Sequence, residues 1–101
     1  MPSSDAEPTV RNDPEAHRYE IREGDTVLGI AAYDQRGDTL VFTHTEVDSS
    51  SEHPKLGSRL VKAALDDVRS HGQRVVAQCS FVRGWIDRHP DYADLVAQPE
   101  H

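Results

Sequence analysis

Cysteine is almost missing from this chain: one residue, Cys79, in 101. No internal disulfide can form, and a reducing, cytoplasmic setting is expected. Long hydrophobic runs are missing too. No stretch of about 18 apolar residues and no charged-then-apolar leader occurs, so neither a membrane span nor a signal peptide is predicted. Cations are scarce, with 11 Lys and Arg against 18 Asp and Glu, for a net charge of −7. That balance argues against a general nucleic-acid binder, which must neutralise many phosphates. It leaves room for one phosphorylated ligand in a local basic pocket, and it steers weakly towards cationic or amine-bearing substrates. Metal-ligand spacing is lacking as well. His17, His44, His53, His71, His89 and His101 form no H-x-x-x-H or Cys–His pattern, and no metal is expected.

What is present suits one small α+β domain, in which nearly every apolar run must serve the core. Residues 1–14 hold three prolines and no periodicity, and read as a flexible tail ahead of a domain spanning 15–97; residues 98–101 read as a second tail. Three strands are predicted at 17–22, 26–33 and 39–47, joined by turns at Gly24 and Gly37 as an antiparallel meander. Leu56, Leu60, Val61, Ala64, Leu65 and Val68 then recur at helical spacing, and Gly72 marks the stop. A fourth strand at 74–78 should lie parallel to the third, because a helix connects them. Ser80 is placed to cap a second helix over 81–88, which His89-Pro90 ends before a final turn or short helix at 91–96. The expected order is β-β-β-α-β-α.

The most informative segment is 39–65. A strand rich in β-branched residues enters a polar loop, and a helix starts at Leu56-Gly57-Ser58. Unpaired N–H groups and the helix dipole at such a start suit a phosphorylated ligand. The loop has a single glycine, Gly57, where phosphate cradles usually have two or three.

The motifs HTEV (44–47), LGSRLVKAALDDVR (56–69), the pair Cys79 and Phe81, and WIDRHPDYADLV (85–96) occur in the order found in the small single-domain GNAT-like N-acetyltransferases. The chain resembles that family from about Pro14 to Val96. The resemblance implies a minimal GNAT-like fold that binds acetyl-CoA and moves its acetyl group to an amine. It implies further that Thr45, Glu46 and Val47 border the pantetheine arm. Leu56, Gly57 and Ser58 offer N–H groups to the pyrophosphate, with Lys55 and Arg59 as charge partners. Cys79 and Phe81 lie beside the acetyl group, with Tyr92 on one wall of the acyl pocket. The loop departs from the family pattern of Arg or Gln, two residues, Gly, one residue, then Gly or Ala. Here it reads Glu52-His53-Pro54-Lys55-Leu56-Gly57. An acidic first position, a proline without an N–H, and a lysine in place of glycine predict weakened, not abolished, CoA binding.

Several residues have a plainer alternative. Cys79 is either a site thiol, at a helix start whose dipole favours a thiolate, or a small buried apolar residue. His44 and Glu46 share one face of their strand, as a general base or as a supporting hydrogen-bonded pair. Tyr92 lies in a segment that also reads as helix termination, and Trp85 reads as core. Two functional classes follow. One is an acetyl-CoA-dependent N-acetyltransferase of unassigned acceptor, its acceptor site open or completed by another subunit. The other is a GNAT-like fold kept as an interaction domain or acyl-CoA sensor.

Overall fold

Five strands form one sheet in the order β1-β2-β3-β4-β5, in a computed structural model that describes residues 8–48 and 55–97. They are β1 (Thr9–Asp13), β2 (Arg18–Glu23), β3 (Thr26–Arg36), β4 (Thr39–Val47) and β5 (Arg74–Ala77). The first four are antiparallel, and β5 runs parallel to β4 after the crossover helix α1 (Leu56–Ser70). A second helix, α2 (Ser80–Arg88), and a 3-10 helix (Pro90–Leu95) follow. The α+β class, the meander and the parallel fourth predicted strand are all present.

The expected order lacked one strand. Thr9–Asp13, inside the segment read as a tail, pairs with β2 from Thr9↔Arg22 to Asp13↔Arg18. Val10 is its one large apolar residue, so its own sequence carries no strand signal. Pairing with β2 supplies the order. Ser80 is the first helical residue and not a cap: Cys79 precedes the helix in extended conformation, and no side chain caps it.

Gly24 and Gly37 explain the hairpins. Each is the first residue of a two-residue loop and takes a positive φ, 60° and 62°, which the favoured type II′ turn requires.

One sheet face carries Tyr19, Ile21, Ala31, Tyr33 and Phe42, all buried, with Tyr19, Tyr33 and Phe42 in mutual ring contact. Helix α1 covers this face with Leu60, Val61, Ala64, Leu65 and Val68, and Tyr19 donates its hydroxyl to Asp67 at 2.7 Å. Burial pushes the Tyr19 phenol well above its ordinary value, and the Asp67 hydrogen bond and charge add to this. The opposite face carries Arg18, Glu20 and Arg22 of β2. Glu20 is only 2% exposed, held by Arg18 and Arg22 at 2.8 Å each. Burial pushes the Glu20 carboxyl up, but the hydrogen bonds and charges of Arg22 and Arg18 outweigh it and hold the carboxyl below its ordinary value.

A carboxyl depressed in the folded state stabilises the fold above its ordinary value, and that stability is lost as the pH falls through the lower folded value. Glu20→Gln should cost about 1–3 kcal/mol at neutral pH. The gap from the parent protein should close below glutamate's ordinary value of 4.5, as read by urea unfolding across pH.

Candidate active site

The site grows from one irregularity in β4. Ala32 pairs with His44 but Tyr33 pairs with Phe42, so Thr43 is an extra residue with no partner of its own. Such a bulge changes which amides point where. Before it, the carbonyl of Phe42 faces β5 and accepts from the Cys79 N–H at 2.9 Å. Beyond it, the Asp48 N–H reaches the Leu28 carbonyl of β3 at 2.7 Å. Alternation along the ladder therefore turns the amides of Glu46 and His44 to β3, and those of Thr45 and Val47 to the other edge. Strand β5 is paired only as far as Phe42↔Ala77. Among the described residues, no strand lies beside Thr45 and Val47 on that edge.

The bulge also sorts the side chains. Thr45 stays on the α1 face, across from Ala31 and Tyr19. Its hydroxyl lies 3.3 Å from the Cys79 sulfur. His44 and Glu46 fall on the opposite face, Nε2 to Oε2 at 2.9 Å, with both side chains more than half exposed. The structure thus brings Thr45 and Cys79 together and separates them from His44 and Glu46. An imidazole on the far side of the strand is not placed to take the Cys79 proton. It can take one from a molecule arriving on its own face.

The start of α1 closes the other side. The helical ladder begins with the Arg59 N–H on the Lys55 carbonyl at 2.9 Å, leaving the N–H groups of Leu56, Gly57 and Ser58 outside it. No side chain caps this end among the described residues, and the first turn has no acidic residue, so its partial positive charge is not offset there. Lys55 sits at φ 60°, ψ 35°, the left-handed region. The loop therefore takes the turn that glycine favours, with a lysine bearing a strain of about 1–2 kcal/mol. Glu52, His53 and Pro54 lie outside the described residues. Arg59 is exposed on the first turn.

Gly57 is needed here for room. A Cβ at this position would stand 2.6 Å from Cζ of Phe81, whose ring lies over the helix start and is 41% exposed. Phe81 follows Cys79 by two residues, so the segment that carries the thiol also packs a ring on the start of α1. Trp85, one turn further along α2, donates its indole N–H to the Ser58 hydroxyl at 2.8 Å. The core reading of Trp85 missed this contact. The available signal was chemical: a buried indole needs an acceptor.

Tyr92 is not brought to this group. Its hydroxyl donates to Asp66 at 2.7 Å, and its ring packs edge-on against Trp85 and beneath Arg69. Asp66 is ten residues along α1 from Leu56, about 15 Å at 1.5 Å per residue. Tyr92 thus docks the C-terminal segment on α1, as the helix-terminating reading of this segment implies.

A family model described as GCN5-related N-acetyl-transferase matches residues 18–95. The chain belongs to that family, and its domain is a GNAT acetyltransferase domain. Among solved structures, it is similar to a GCN5-like protein of Staphylococcus aureus determined in solution by NMR. The two share 21% identity with a TM-score of 0.68, over 98% of this chain and 95% of that one, a likeness that shows the fold. No curated protein matches the chain. Among the described residues, no helix is long and apolar enough to cross a membrane, and no group of three His, Cys, Asp or Glu is placed to hold a metal.

Gly57→Ala should displace the Phe81 ring at small cost, under about 1 kcal/mol, because the ring is exposed enough to swing aside. In a Phe81→Ala background that cost should vanish, a coupling that a double-mutant cycle on thermal unfolding will read.

Proposed function

We propose that this protein is an acetyl-CoA-dependent N-acetyltransferase acting by direct transfer. The observation that carries the reading is the freed edge of β4. Thr45 and Val47 present backbone groups to an extended arm, beside Cys79 and next to a helix start that has no side-chain cap among the described residues. Thr45 and Val47 would pair with the pantetheine amides along that edge, and the N–H groups of Leu56, Gly57 and Ser58 would hold the pyrophosphate. Lys55 and Arg59 supply charge. Cofactor binding would hold the thioester at the edge of β4, with Phe81 as a wall.

The acceptor amine comes from the His44 face. His44 removes its proton, Glu46 steadies the resulting imidazolium, and the nitrogen attacks the thioester carbonyl. The Val47 N–H polarises that carbonyl. Cys79, buried against Thr45 and away from the base, lines the acetyl pocket and is not acetylated in this scheme. The second reading, an interaction domain or acyl-CoA sensor, draws on Glu52, Pro54 and the strained Lys55. Bound CoA with no product from any amine would establish it.

Calorimetric titration with acetyl-CoA, run beside free-thiol release with an amine panel, tests the reading. Binding with amine-dependent release is expected; no heat at millimolar CoA would remove it. His44→Ala should lower turnover by about 100-fold or more. Because His44 is exposed, stability should stay within about 0.5 kcal/mol. Mass spectrometry of the protein after incubation with acetyl-CoA should find no acetyl group on Cys79.

A further inference from the structure

A depression of about 330 Å³ opens at the end of the β3–β4 pair, lined by Glu46, the partner of His44, and not by His44 itself. Val27 and Ile30 line it from the Glu46 face and Val47 from the α1 face, and Glu46 and Asp48 give it two carboxylates; among the described residues no lysine or arginine lines it. The register explains the grouping. Ile30 lies directly across from Glu46. The shift between Ile21 and Arg22 makes Val27 the partner of Arg22, which puts Val27 on the same face as Ile30. Val27 is 38% exposed and Val47 39%, two of the three large apolar side chains left open among the described residues. The core does not use them. Two other depressions, one beside Arg11, Glu20 and Arg22 and one beside Tyr19 and Asp67, touch neither His44 nor Glu46.

We propose that this depression is the acceptor subsite, and that the acceptor is a small aliphatic amine arriving as its ammonium ion. The inference rests on the transferase reading above and names its substrate class. The methylenes lie on Val27 and Ile30, and the ammonium meets Glu46, with Asp48 adding negative charge at the rim. The volume is at the low end for ligand sites, which fits a short chain. An acceptor with an anionic tail is disfavoured, because the Glu46 carboxylate repels it and Arg22, across from Val27, is already paired with Glu20. The ammonium gives one proton to His44, which hands it to water. The neutral nitrogen then attacks the carbonyl carbon at the edge of β4. The C–N bond forms, and the C–S bond breaks with its electron pair on the CoA sulfur. The second nitrogen proton ends on that thiolate, leaving an amide, CoA thiol and one proton in solution.

NMR titration of the full 15N-labelled chain with n-butylammonium, without acetyl-CoA, tests the subsite directly. Shifts should centre on Val27, Ile30, Glu46 and Asp48, and 4-aminobutanoate should bind at least tenfold more weakly. Val27→Arg, a change at an exposed position, should abolish the response. The isosteric Val27→Thr should weaken it roughly threefold through lost apolar contact, a second check should the arginine variant fail to fold. Shifts centred elsewhere, none at millimolar amine, or equal binding of 4-aminobutanoate would overturn the proposal. Thiol release with acetyl-CoA separates the two readings. Release that ignores the amine's tail sinks the subsite and keeps the transferase. Localised binding with no release from any amine does the reverse.

Discussion

One extra residue in β4 decides what this small sheet can do. Were β4 regularly paired through Thr43, with no bulge, alternation would run unbroken past Phe42, and the amides of Thr45 and Val47 would be spent on β3. With it, they face the edge that β5 has left. A strand that pairs with β3 along its whole length thus also has a second set of backbone groups beyond Phe42, with no strand beside them among the described residues. Unpaired backbone groups in a sheet tend to find a partner. A ligand with amides of its own, held in extended form, has the complementary chemistry.

The same residue sorts the candidate groups onto two faces. Thr45 and Cys79 meet on the side covered by α1, while His44 and Glu46 pair on the other. In the proposed reaction, cofactor and acceptor approach the edge from opposite sides without competing for space. At the start of α1, Phe81 over Gly57 and Trp85 on Ser58 tie the two helices together. Fixing α2 to α1 at this point also fixes Cys79, since the helix begins one residue after it.

The sequence made much of this legible. The period of the apolar residues located α1 to within a residue, and the turn glycines placed both hairpins. Strand β1 was hidden because one valine is too little pattern; its order comes from a neighbour, and a neighbour cannot be read locally. The bulge was hidden for a related reason. HTEV looks like plain alternation, and only the register with β3 reveals that Thr43 is unmatched. That His44 and Glu46 share a face was readable from period two, but their separation from Cys79 was not, since it depends on the bulge at Thr43. Tyr92 was drawn towards the site by family likeness, whereas its hydroxyl had a nearer carboxylate in Asp66. Lys55 was the reverse case. Its mismatch with glycine was plain in the sequence, and the backbone takes the left-handed turn regardless.

Amide hydrogen exchange in the free protein tests the central claim most directly, because it reads the direction of each N–H in β4. The account predicts slow exchange at His44, Glu46 and Asp48, fast exchange at Thr45 and Val47, and protection of those two when CoA is added. Equal protection of all five in the free chain would mean that the edge is already filled, and would contradict the account.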